Sequence, residues 1–123
     1  WKAIGKLTYV LSDPSPSVQI KAAETLCKLD HCDQSLKVLA THLQAEKDWH
    51  VLQSAISIRQ IGERTMPILE QIRQARLRYS GDTGHEFVRD PNAEGYRDFG
   101  YALFIGFALD QALLDLGVGL YPD

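Results

Sequence analysis

Apolar residues recur along this chain at three- and four-residue steps, in blocks separated by short polar or turn-forming stretches. One block comprises Val18, Ile20, Ala22, Ala23, Leu26 and Leu29 and is entered through Asp13-Pro14-Ser15-Pro16. About 32 residues later, Glu46-Lys47-Asp48 leads into Trp49, Val51, Leu52, Ala55, Ile58 and Ile61. At that offset Ile20 falls on Leu52, Ala23 on Ala55, Leu26 on Ile58 and Leu29 on Ile61. Such spacing gathers apolar side chains on one face of a helix. A fixed period in this range marks helical units that bury their apolar faces only by stacking on one another.

The punctuation between blocks sets the expected elements. Residues 2–11 read as the second half of a helix whose beginning lies outside the sequence, stopped by Ser12-Asp13-Pro14. Pro14 biases Asp13 away from helical geometry, Ser15 suits the cap and Pro16 the first position of a helix over about 16–29. The small Ala22-Ala23 pair allows close approach of a neighbouring helix. A third helix is expected over about 33–45, with Leu36, Val38, Leu39 and Leu43 inward. A fourth covers about 48–61, capped by Asp48 and ended by Gly62. A fifth starts near Arg64, with Pro67 in its first turn and Ile68, Leu69 and Ile72 as its stripe. From Tyr79 to Gly95 the pattern breaks on Ser80-Gly81-Asp82-Thr83-Gly84 and Asp90-Pro91-Asn92. A last helix over about 96–116 is apolar around nearly its whole circumference, which implies burial on more than one side. Thr25–Asp30 aligns on Ala112–Gly117, as if a third copy had been displaced by the loop. The expectation is an all-α domain of about six antiparallel helices. Its parts are helix pairs over 1–79, an irregular loop over 80–95, and a terminal hydrophobic helix and tail over 96–123.

Asp-Pro-x-Pro-x-Val followed by Ala-Ala-x-x-Leu-x-x-Leu, carried by residues 13–29, resembles the HEAT-like repeat, and residues 48–72 resemble it again. The resemblance implies a short right-handed α-solenoid. Gln19 and Val51 stand where that repeat usually carries an arginine. Asp48-Trp49, Ile61-Gly62-Glu63-Arg64 and Met66-Pro67-Ile68-Leu69 are also similar to the C-terminal helical repeats of some bacterial secreted sulfatases. That second resemblance implies an accessory domain of a periplasmic or secreted hydrolase, whose calcium-dependent formylglycine site lies elsewhere. The nucleophile motif of those enzymes, Cys or Ser followed by x-Pro-x-Arg, does not occur here. No catalytic residue carries over.

Composition fits one domain: 123 residues, 45% of them hydrophobic, suffice for a continuous core. No run of about 18 apolar residues is present to span a bilayer. The opening Trp1-Lys2-Ala3 is no signal peptide and points to a piece of a longer protein. The net charge of −3 argues against general nucleic-acid binding, yet charge is unevenly spread. Residues 1–58 balance six Lys against six acids, residues 59–78 hold five Arg against two Glu, and residues 79–123 hold two Arg against eight acids. The arginines read as a solvated face paired with the acidic tail, in preference to a phosphate or carboxylate patch.

Candidate chemistry is sparse. Cys27, His31 and Cys32 are three soft ligands where a structural zinc needs four, so the cysteines read as ordinary thiols, with a disulfide as the alternative in an oxidising compartment. His85-Glu86 is a single pair, short of the several His-Glu pairs of metal-binding HEAT-repeat hydroxylases, and Gly81-x-x-Gly84 lacks the context of a phosphate loop. Trp49 reads as core. The function expected is a non-catalytic scaffold or protein-interaction domain, without cofactor or metal, binding a protein or another domain of its own chain. Nucleic acid and membrane are not expected partners. The alternatives are the sulfatase-like accessory domain and a HEAT-repeat enzyme such as a bilin lyase or a DNA alkylation glycosylase. Periplasmic or secreted localisation goes with the sulfatase-like reading and cytoplasmic with the others. The candidate surface is Phe99, Leu103, Phe104, Phe107 and Leu114, expected to divide between two sides of the last helix, together with Arg73 and Arg76. Self-association through that helix is a further expectation.

Overall fold

Ser15 stands in extended backbone and its hydroxyl accepts the Val18 N–H at 3.4 Å, while Pro16 supplies a pre-set φ to the first helical residue. The helix this starts is one of six α-helices in a computed structural model that describes residues 2–79 and 99–120, and of 99 and 100 the backbone alone. They are α1 (Lys2–Val10), α2 (Pro16–Lys28), α3 (Asp33–Leu43), α4 (Asp48–Ile61), α5 (Leu69–Arg78) and α6 (Phe99–Asp115). A 3₁₀ segment, Gly62–Ile68, precedes α5, and no strand occurs among the described residues. The chain is all-α. The loop expected over 80–95 lies outside the described residues, as does the side chain of Phe99.

Two boundaries differ from the sequence reading for local reasons. Asp48 is the first residue of α4 rather than its cap; Lys47 holds the cap position without a side-chain bond, and Asp48 Oδ1 instead accepts the Tyr79 hydroxyl at 2.6 Å. The fifth helix begins at Leu69 rather than near Arg64. Pro67 has no N–H to complete an α-type bond to Glu63, so the chain approaches α5 through the tighter 3₁₀ form.

α2, α4 and α6 are each followed by a residue of positive φ. Asp30, Gly62 and Gly117 follow α2, α4 and α6 with φ of 68°, 77° and 72°. After α2, the N–H groups of Asp30 and His31 reach back to the carbonyls of Cys27 and Leu26 at 3.1 and 2.9 Å. After α6, those of Gly117 and Val118 reach Leu114 and Leu113 at 2.9 and 3.1 Å. The two terminations are the same hydrogen-bonded cap, and they match residue for residue the alignment of Thr25–Asp30 on Ala112–Gly117.

Packing follows chain order. α1 lies on α2, α2 on α3 and α4, α3 on α4 and α5, and α6 on α4 and α5. Ala23, Leu26, Ala55 and Ile58 are buried at matching positions of α2 and α4, and Ile105 and Leu109 are buried on α6. Ile61 is half-buried and Leu29 exposed, because the last turn of each helix runs past the core. Trp49 is exposed, which corrects its reading as core: it opens α4 outside the stripe of Val51, Leu52 and Ala55.

Polar side chains tie α2, α3 and α4 together. Glu24 is buried; its Oε1 accepts the Ser57 hydroxyl at 2.8 Å, and Lys21 and Lys28 lie 3.1 and 3.2 Å from Oε2. Burial pushes this carboxyl up, but the hydrogen bonds from Ser57, Lys21 and Lys28 outweigh it and leave its pKa below the ordinary value. Ser17 donates to Gln53 at 2.8 Å, and Ser54 to the Leu39 carbonyl at 2.7 Å. Cys27, at the end of α2, is joined to Cys32 by a disulfide, with the Cα atoms 4.1 Å apart. That replaces the reading of two ordinary thiols.

Candidate interaction surface

α6 has two apolar faces, and only one meets the protein. Ala102, Ile105, Ala108, Leu109, Ala112 and Leu113 turn inward on α4 and α5. At 100° per residue, Leu103, Phe107 and Leu114 then fall on the opposite ridge together with the Asp110 carboxylate, and Phe104 lies beside them. Phe104, Phe107 and Leu114 are 60%, 61% and 69% exposed, and Leu103 is exposed as well. These four do not divide between two sides of the helix. They share its outer face, because Ile105, Leu109 and Leu113 with Ala102, Ala108 and Ala112 occupy the inner one.

Arg73 and Arg76 lock α6 in place. The Arg76 guanidinium lies across the Asp110 carboxylate, with Nε 2.6 Å from Oδ1 and Nη2 3.2 Å from Oδ2, and its Nη1 donates to the Tyr79 carbonyl at 2.8 Å. This two-pronged geometry fixes orientation as well as charge. Arg73 Nε donates to the Gly119 carbonyl at 3.0 Å, beyond the end of α6. Arg78 donates to the Leu43 carbonyl and lies over the Tyr79 ring, 5.7 Å from its centre. At the start of the helix Tyr101 packs on Trp49 with ring centres 5.7 Å apart. The signal for this pair, an aromatic at the exposed start of each helix, was present in the sequence but could not be paired without knowing that α6 lies on α4.

The other sequence candidates stand apart. The disulfide removes Cys27 and Cys32 as thiolate ligands, and among the described residues no group of three or more His, Cys, Asp or Glu is placed to hold a metal ion. His85-Glu86 and Gly81-x-x-Gly84 lie outside the described residues. His42 donates through Nε2 to Gln19 Oε1 at 2.9 Å, with the His50 ring 6.3 Å away. Burial, and then the neighbouring His50, lower its pKa, so the imidazole is neutral near pH 7. No helix among the described residues is long and apolar enough to cross a membrane. Comparison with family models, curated proteins and solved structures finds no match.

Proposed function

We propose that this chain is a non-catalytic interaction domain, a short HEAT-like stack of helices whose outer α6 face receives another protein surface. The observation that carries this reading is the exposed row of Leu103, Phe107 and Leu114, with Phe104, on a rigid helix anchored by Arg73 and Arg76. Exposed apolar side chains gathered on one face in this way mark a contact site. The stack itself is supported by the order in which α2, α4 and α6 pack, and by the matching hydrogen-bonded termination of α2 and α6. A rigid helical array offers its partner a preformed face, so little ordering entropy is lost on binding. The test is a hydrophobic dye. The native chain should enhance its fluorescence, and Phe107→Asp should remove most of the signal while leaving the helical circular dichroism and melting curve unchanged. A native chain that leaves the dye dark would overturn the reading.

The Cys27–Cys32 disulfide favours a second reading, an accessory domain of a secreted or periplasmic hydrolase, since such bonds persist in oxidising compartments. Alkylation of the chain isolated from its native compartment distinguishes the two: cysteines that take up alkylating agent without prior reduction would count against the secreted assignment.

A further inference from the structure

The Cys27–Cys32 bridge joins two sulfurs in unlike surroundings. Cys27 lies in the last turn of α2 with its side chain fully buried, whereas Cys32 is half-buried and holds the N-cap position of α3. The Cys32 carbonyl accepts the Leu36 N–H at 2.8 Å, so its Sγ belongs to the first turn of an 11-residue helix. The N–H groups at that end have no partner within the helix, and they favour negative charge on an adjacent sulfur. A pocket of about 280 Å³ opens beside Cys32, walled by Asp30, His31, Asp33 and Gln34 of the turn, with Thr8 and Leu11 across from them; Cys27 is not on its wall. The turn is closed independently of the bridge. Asp30 and His31 donate their N–H groups to the Cys27 and Leu26 carbonyls, and Arg64 Nη2 lies 2.5 Å from Asp30 Oδ1. Leu26 and Leu36 are buried on either side of it. Opening the S–S bond therefore leaves the two sulfurs neighbours, and a group held in place recloses a ring far faster than one free in solution.

We propose that this pair is a thiol–disulfide exchange site for small-molecule thiols and disulfides, with Cys32 as the sulfur that meets them and Cys27 as the buried sulfur that resolves the mixed disulfide. In the reducing direction an external thiolate RS⁻ attacks Cys32 Sγ. The Cys27–Cys32 bond breaks, Cys27 leaves as thiolate and takes up a proton, and R–S–S–Cys32 remains. A second RS⁻ attacks the R sulfur of that bond, forming RSSR and releasing Cys32 as thiolate at the start of α3. Two thiols are oxidised and the bridge is reduced. In the oxidising direction the Cys32 thiolate attacks RSSR and expels RS⁻; Cys27 gives up its proton, attacks Cys32 Sγ and expels the second RS⁻. Attack falls on Cys32 because Cys27 exposes none of its surface. A bridge that only staples the fold would behave otherwise, since its sulfurs would be reached only as the chain unfolds.

Exchange kinetics and trapping on the full chain test it. With 2-mercaptoethanol in native buffer, the bridge should open at a rate that urea below the onset of unfolding leaves unchanged. Acid quenching and peptide mapping should place the mixed disulfide on Cys32. In Cys27→Ser, 2-hydroxyethyl disulfide should modify Cys32 roughly tenfold or more faster than it modifies Cys27 in Cys32→Ser, with native circular dichroism in both. Reduction that waits on unfolding by urea would overturn the proposal. So would a mixed disulfide mapped to Cys27, or equal reactivity of the two variants. If either variant fails to fold, the urea dependence and the mapped site in the native chain decide alone.

Discussion

Glu24 shows how one buried charge is made tolerable. A carboxylate with this little exposure would cost several kcal/mol if left alone, yet three donors from two helices converge on it. Lys21 and Lys28 come from its own helix and are themselves well exposed, so their contribution is screened by water. Ser57 is the buried donor and reaches across from α4. Ser57→Ala should therefore destabilise by about 1.5–3 kcal/mol, the range for a hydrogen bond to a charged group. Urea unfolding checks this, and the double variant Ser57→Ala/Glu24→Gln should recover part of the loss. No pattern in the sequence announces the pair; a serine and a glutamate 33 positions apart become partners only once α2 and α4 are side by side.

At the scale of elements, what could be read in advance was what local chemistry dictates. Ser15-Pro16 started α2, Gly62 ended α4, and the three- and four-residue spacing put Ala23, Leu26, Ala55 and Ile58 inside. What escaped was set by neighbours. Asp48 was taken from capping by the Tyr79 hydroxyl of a distant turn, Trp49 found an exposed partner in Tyr101, and the exposed apolar residues of α6 lay on one face because Ile105, Leu109, Leu113 and the alanines occupied the other. The disulfide belongs here too, since it binds the end of α2 to the start of α3 across a turn that Asp30 makes in the left-handed region. Five positions separate the two cysteines. Closing so small a loop stabilises by about 2 kcal/mol on a chain-entropy basis. Melting with and without a thiol-free reductant should show a shift of that size, with helicity retained at low temperature. An unchanged melting temperature after verified reduction would show that the packed turn needs no cross-link.

Acid response brings both kinds of contact together over the whole molecule. His42 sits neutral and half-buried between Gln19 and His50, with its pKa held below the ordinary 6.5. The unfolded chain therefore takes up that proton first, and stability falls as pH drops from about 6.5 through the depressed folded value. Glu24 adds a second, lower window. Its folded pKa lies below 4.5, so the stability it contributes is full above that value and is lost as pH falls through the folded pKa. Neither window depends on the outer face of α6, which carries no histidine. The urea midpoint followed from pH 8 to pH 3 should thus decline in two stages, the upper one abolished by His42→Gln and the lower one reduced by Ser57→Ala. A native midpoint that stays level between pH 7 and pH 5 would mean that His42 is as easily protonated in the folded chain as in the unfolded one. The packing of α2, α3 and α4 around it would then be looser than the 2.9 Å bond to Gln19 requires.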